Sequence, residues 1–382
     1  MVDLDFRMGE LFSGPGGMAL GARRAADAVQ GIRVRHVWAN DFDQDTCETY
    51  KSNILKPDYG DLAKVVTDSA DLPAEGGGIV HQNVHDLDIS KLSNIDGFAF
   101  GFPCNDYSLV GEWKGLSGEY GPLYTYGVEV LATKKPKWFV AENVSGLRSA
   151  NEGLAFKQIL AHLREPSPGL EYRLVPHLYS FDNYGVPQKR QRIVIIGIRS
   201  DLNTVYKVPS PAIFESHDVS AESALTTPPL DWKITNNELV KQSENVIDRL
   251  SYIRPGENAF SPRALSVMPK RLQINTRTTI SSTYRRLEAG KPAYTVTGAG
   301  GGGSHMYHWE SNRALTNRER ARLQTFPDSF VFKGLKGSVR KQVGMAVPVK
   351  GAEAIFTALF KSFADIDYPW IEPNIDPIDF GR

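Results

Sequence analysis

Cysteine is almost absent. Cys47 and Cys104 are the only two in 382 residues. That excludes a disulfide framework, leaves no thiolate cluster for zinc and fits a reducing compartment. Excess charge is absent as well: the formal net charge is zero, so any surface for a polyanion has to be local. No apolar run approaches the roughly 18 residues that cross a bilayer. The opening Met1-Val2-Asp3-Leu4-Asp5 lacks the basic and apolar regions of a secretory signal. There is no internal repeat, and no metal site is predicted. What remains is ordinary, 41% hydrophobic and 23% charged, in a chain long enough for two or three domains.

The chain alternates strand and helix signals up to residue 198. Phe6 to Phe12 reads as a strand, running through Ser13-Gly14-Pro15-Gly16-Gly17 into helix formers at 18–26. Strand, glycine turn and helix expose backbone N–H groups where a ligand can approach. The spacing is G-x-G-G, not the G-x-G-x-x-G of dinucleotide enzymes, and a tight turn without a ligand is the plain alternative. A second strand, Val34 to Ala39, ends in Asn40-Asp41-Phe42-Asp43. Asp41 there suits a ribose hydroxyl or the N-cap of a helix over 44–50. Residues 56–78 read as a surface connection, followed by a weak strand and Asp86-Leu87.

Gly97 to Phe100 is a short buried strand, broken by Gly101 and Pro103 just before Cys104 and Asn105. A thiol past the end of a buried strand is where open α/β sheets put reacting groups. Taken alone it also suits a small buried hydrophobe. The glycine-rich loop 105–121 is long enough to be functional. A helix is expected over 122–134, then a strand at 137–141 ending in Glu142-Asn143-Val144, a helix over 151–164, and strands near 171–180 and 192–198. This alternation predicts an α/β fold with a doubly wound, mostly parallel sheet.

Residues 200–309 change character, rich in Pro, Thr, Ser and Asn. Between Arg249 and Lys291 nine Lys/Arg face only Glu257 and Glu288, a local excess of +7. That suits a phosphate-binding face or a solvated, loop-rich surface. Gly298 to Gly303 reads as a hinge. Thr316 and Glu319 make a capping box for a helix to Leu323. An apolar helix over 352–363 closes the fold, and the tail from Asp365 is expected on the surface.

Taken together, these motifs resemble the DNA (cytosine-5) methyltransferase family along nearly the whole chain and in the family's order. They are Phe12-x-Gly14-x-Gly16-Gly17, Pro103-Cys104, Glu142-Asn143-Val144, Gln188-x-Arg190-x-Arg192, Arg313 to Asp328, and Gln342-x-Gly344-x-x-Val347-Pro348. Two positions depart from the family's pattern. Asn105-Asp106 follows the cysteine instead of Gln, and Met345 stands where an Asn is usual. The resemblance implies an S-adenosylmethionine-dependent methyltransferase fold, with 1–199 plus 310–382 as the catalytic and cofactor domain. The smaller target-recognition domain would be 200–309.

The resemblance also implies roles. Phe12, Gly14, Gly16, Gly17, Asp41, Phe42, Asp86, Leu87 and Val347 would hold S-adenosylmethionine, with no metal. Cys104 would attack carbon 6 of a cytosine, and Glu142 would meet ring N3 as a protonated or proton-sharing carboxyl. Arg192 would meet the base carbonyl, and Arg190 the base or its phosphate. Asn105, Tyr284, Arg285, Arg286 and Thr295 are the DNA-binding candidates. The expected setting is bacterial and cytoplasmic: a monomer acting on double-stranded DNA, off the membrane, with a paired endonuclease in a restriction-modification system. The competing readings are a nicotinamide oxidoreductase, a non-catalytic DNA-binding relative, and a cytosine-5 enzyme acting on RNA.

Overall fold

Strands covered on both faces are apolar without interruption, and the chain supplies such runs at 97–100 and 138–141, every residue buried. In the computed structural model, which describes residues 4–103, 123–275, 280–301 and 303–376, they lie near the centre of an eight-stranded sheet. Its strands are β1 (Leu4–Leu11), β2 (Ile32–Asp41), β3 (Lys64–Val66), β4 (Gly78–His81), β5 (Gly97–Gly101), β6 (Trp138–Val144), β7 (Tyr172–Ser180) and β8 (Gln191–Arg199). Their order is β3-β4-β2-β1-β5-β6-β8-β7. Only β8 runs against its neighbours.

Helices cover both faces. They are α1 (Gly17–Ala28), α2 (Gln44–Tyr50), α3 (Tyr124–Lys134), α4 (Leu154–Arg164), α5 (Asn317–Leu323), α6 (Lys336–Met345) and α7 (Val349–Phe363). α1 and α7 pack Ala22, Ala26, Phe356 and Phe360 against Phe6, Trp138 and Ile196. α3 and α4 pack Val130, Leu131, Phe156 and Leu160 against Phe98, Phe100 and Phe139. The stretch Lys336–Phe363 is long and apolar enough for a bilayer, unlike the expectation from sequence, but it is mostly buried in the core.

From β1 the chain builds outward through β2, then returns to place β5 on the other flank of β1. The strand order therefore reverses between β1 and β5. In open α/β sheets the crevice beyond the strand ends at such a point is where ligands bind.

Residues 200–309 are less separate than their composition suggests. Ala221, Leu225, Leu287, Ala293 and Val296 share a cluster with Ala39, Tyr50 and Phe326. Only a smaller cluster around Leu250, Leu272, Tyr284 and Tyr307 stands apart. The tail lies on the surface as expected, with most of residues 365–376 exposed, and it is docked there: Trp370–Ile371 pairs with Val208–Pro209, Asn374 bonds both the N–H and the carbonyl of Leu178, and Ile375 is buried.

Two histidines are buried in this sheet. His36 on β2 is pushed down to about 3, mainly by burial and further by Arg23. His177 on β7 is pushed down to about 4 by burial. Both stay neutral in the fold but take up a proton on unfolding once pH drops below about 6.5. Their contribution is therefore complete above that pH and lost on acidification. Relative to the parent, His36→Gln should gain about 1.4 kcal/mol per pH unit between pH 6.5 and 5 in urea unfolding. A parallel pH profile for parent and variant would refute this.

Candidate active site

The glycine turn is built by backbone bonds. Phe12 takes a left-handed φ of 52° as the chain leaves β1. Gly16, φ 99°, caps α1. The Ser13 N–H donates to the Asn40 carbonyl, 3.1 Å. A Cβ on Gly17 would collide with the Val347 carbonyl, whereas a Cβ on Gly14 would meet nothing within 4 Å. So Gly17 is required by close packing, and Gly14 offers its main chain to open space.

Asp41, buried at the end of β2, organises that turn. Its Oδ2 accepts from the Gly14 N–H at 2.9 Å and its Oδ1 from the Asp43 N–H at 3.0 Å. Burial raises its pKa to about 6, although those backbone bonds pull the other way. The N-cap of α2 is Asp43, which accepts from the Thr46 N–H, so of the two roles open to Asp41 the capping role goes elsewhere. Phe42 is 59% exposed, with the Lys341 ammonium 5.4 Å from its ring centroid. Asp86 is exposed in the turn after β4, Leu87 beside it is buried, and the end of β4 pairs with Asp41. An open glycine backbone, a carboxylate and an exposed aromatic thus stand together at the ends of β1 and β2, with Asp86 in the turn beyond the neighbouring β4.

Below the turn lies a residue that motif reading missed. Glu10 on β1 is fully buried, and Tyr50 donates to its Oε2 at 3.0 Å. Burial, partly opposed by that bond, raises its pKa to about 8. Tyr50 in turn packs where a Cβ on Gly16 would stand. The signal was a lone acid inside the apolar strand, Met8 to Phe12.

The other wall is formed by β5, β6 and β8. Gly101 is paired with Glu142 across the parallel ladder. A Cβ on Gly101 would stand 3.2 Å from Glu142 Oε2 and 3.8 Å from the Met18 methyl of α1. The end of β5, the carboxylate and the helix of the glycine turn therefore meet within one layer of atoms. Asn143 donates to the Phe102 carbonyl at 3.0 Å, fixing the exit of β5. Cys104 and Asn105 follow two and three residues later and lie outside the described residues, as does the loop 105–121. Glu142 Oε1 is 2.8 Å from Arg192 Nε, and both side chains are nearly buried.

Arg190 corrects the expectation of a base or phosphate contact. It is 2% exposed and donates to the carbonyls of Val296 and Gly344, 2.9 and 3.3 Å. Burial, and next Arg192, push it down to about 9. A guanidinium held on two carbonyls inside the protein ties the loop at Val296 to α6 and is turned away from the surface. Gln188 does similar work, bonding Val296, Leu323 and Gln324.

Two DNA-binding candidates are corrected for the same reason. Arg286 is buried, with bonds to the carbonyls of Leu250, Ile253, His308 and Ser311 and to Asn312. Tyr284 is buried, stacked on Tyr307 and capped by the Arg249 guanidinium at 4.6 Å. Arg285 and Thr295 remain partly exposed. Arg285 lies over the Tyr294 ring at 5.0 Å, and the Thr295 hydroxyl donates to the Lys189 carbonyl at 2.7 Å.

Two tests follow from these placements. Glu10 carries its proton in the fold but not when unfolded above pH 4.5, so its stabilisation is full below that pH and is lost as pH rises through 8. Relative to the parent, Glu10→Gln should gain about 2 kcal/mol between pH 6.5 and 8 in unfolding experiments. Arg286→Ala leaves buried carbonyls unpaired and should cost about 3 kcal/mol, with the salt slope of DNA binding unchanged. Arg285→Ala should do the reverse, sparing stability and lowering the slope by about 1.

Comparison with known proteins agrees with this geometry. The model of the C-5 cytosine-specific DNA methylase family matches residues 6–361. The chain is 48% identical to Type II methyltransferase M.BbvI of Brevibacillus brevis, over 98% of this chain and 96% of that one. It is 37% identical to M.NgoFVII of Neisseria gonorrhoeae, over 93% and 86%. The same fold is seen in a prophage-encoded E. coli structure, with TM-score 0.65, 22% identity, and 94% and 99% coverage. It is also seen in S. pombe Dnmt2 methyltransferase, with TM-score 0.58, 15% identity, and 94% and 98% coverage. The chain belongs to the C-5 cytosine-specific DNA methylases: it is a DNA (cytosine-5)-methyltransferase.

Proposed function

We propose that this methyltransferase extracts a cytosine from duplex DNA and methylates carbon 5 through a transient bond to Cys104. Extrusion is required because stacking hides carbon 6, and it costs a few kcal/mol. The Cys104 thiolate adds to carbon 6, and Glu142 supplies a proton at ring N3, so the electron pair displaced from the 5,6 double bond reaches carbon 5. Carbon 5 takes the methyl group and gives up its proton to a water molecule, the re-formed double bond expels the thiolate, and N3 returns its proton to Glu142. S-adenosylmethionine supplies that methyl on a sulfonium centre. The family and fold imply it, and the open backbone at Gly14, with Asp41, Phe42, Asp86, Leu87 and Val347, would hold it.

The observation that supports this reading most is the meeting of Gly101, Glu142 and Met18 at the sheet's reversal point. It sets the carboxylate between the glycine turn and the strand that leads into Pro103-Cys104. Arg192, paired with Glu142, holds the carboxyl and on this reading meets the base carbonyl. The recognition role falls to the segment 200–309, with Arg285 and Thr295 on its accessible side. Relatives named as Type II methyltransferases support a bacterial restriction-modification setting, with a paired endonuclease and a monomer acting on DNA in the cytoplasm.

Bisulfite sequencing of DNA from a methylation-free host expressing the protein should reveal protected cytosines at one short site and converted cytosines elsewhere. A duplex carrying 5-fluorocytosine at that position should then trap a covalent adduct, because fluorine does not leave as a proton does. Cys104→Ser should abolish both adduct and transfer while melting like the parent, and Glu142→Gln should slow transfer by about 10²- to 10⁴-fold. Methyl transfer by the serine variant at the parent's rate would overturn the mechanism.

A further inference from the structure

The helix α6 touches two regions at once. Toward the segment 200–309, the Arg340 Nε donates to the Gly298 carbonyl at 3.3 Å. A Cβ on Gly344 would collide with the backbone of Thr297 and Gly298, and a Cβ on Gly298 would stand 3.2 Å from the Lys341 Cα. The helix and the glycine loop thus meet backbone to backbone. Toward the cofactor crevice, the next residue after Arg340 puts its ammonium over Phe42, 5.4 Å from the ring centroid. The helix is anchored between the two by Gln342, which accepts from the Thr49 hydroxyl at 2.8 Å and donates to the Lys333 carbonyl at 2.8 Å.

We propose that Lys341 is a positioning residue for the cofactor, fixing the Phe42 ring and making its grip depend on how the glycine loop 298–301 is seated against α6. The inference rests on the reading that Phe42 stacks on the adenine. Phe42 is largely exposed, Lys341 is the cation set over its ring among the described residues, and a cation over one face orients the ring while leaving the other for a ligand. Because the Lys341 backbone lies against Gly298, a shift of the loop moves the ammonium before it moves the glycine turn. A second consequence concerns Met345. The amide usual at that position is missing, and Lys341, one helical turn earlier, contributes a polar contact from the same helix to the same crevice.

The test is calorimetric titration with S-adenosylhomocysteine alone, on the full-length protein. Lys341→Met should weaken binding about two- to five-fold without changing the melting temperature, and Lys341→Arg should restore it. In a Phe42→Ala background, Lys341→Met should have no further effect. Gly298→Ala, which crowds the Lys341 backbone, should weaken binding in the parent but not in the Lys341→Met protein. If Phe42→Ala binds as the parent does, the stacking reading fails and takes this proposal with it. If Phe42→Ala weakens binding but Lys341→Met does not, or if the Gly298 and Lys341 effects simply add, the stacking reading stands and the proposal is wrong.

Discussion

The reversal of strand order between β1 and β5 is the constraint on which the rest depends. Two neighbouring parallel strands whose connections leave in opposite directions cannot have their ends covered by the same helix. The uncovered ends are Phe12 to Gly17 on one strand and Phe102-Pro103 on the other. β2 delivers Asp41 to the first end, β6 delivers Glu142 to the second, and β8 brings Arg192 to Glu142 because it runs the opposite way. An all-parallel β8 would have started at the far edge and left the carboxylate without that partner.

Arginine supplements the shared apolar cluster in holding the segment 200–309 to the rest of the chain. The motif around α5 shows how. Arg318 donates to the carbonyls of Thr235, Pro327 and Phe330. Arg322 pairs with Asp328 and also reaches Leu225 and Pro228. Arg313 makes two bonds to Glu319 at 2.7 Å each. A segment with little helix or sheet has many backbone carbonyls to satisfy, and a guanidinium with five donors can satisfy several at once. Arg190 and Arg286 belong to the same scheme. The loops are ordered by buried cations, so they can present side chains outward without a ladder of their own.

This explains what could be read in the sequence and what could not. The sheet strands were legible because burial on both faces writes itself as an apolar run, and the capping box at Thr316 and Glu319 formed as its spacing requires. Gly14, Asp41, Phe42 and Glu142 could be placed at strand ends from the sequence, because motif and strand end coincide. Arg190 and Arg286 were misread because sequence gives charge but not burial, and a buried arginine bonded to carbonyls is spelled like an exposed one. Lys341 carried no signal at all. Its position over Phe42 depends on how a helix some three hundred residues away in sequence crosses the end of β2, and no local pattern encodes that crossing.

The same accounting bears on how a protein of zero net charge meets a polyanion. Not every cation behind the local excess of +7 between 249 and 291 is free to meet a phosphate. Arg286 is inside, and Arg249 is bound to the Leu272 carbonyl and to Tyr284. Arg263 is held by Glu257, Arg271 by Asp248 and Lys291 by Glu288. Among the described residues, Arg254, Lys270 and Arg285 remain as cations outside such pairs, the first two of them fully at the surface. Each phosphate neutralised releases counterions, so cations of this stretch that are already bound to carboxylates, carbonyls or rings add less to the salt dependence of DNA binding than their number suggests.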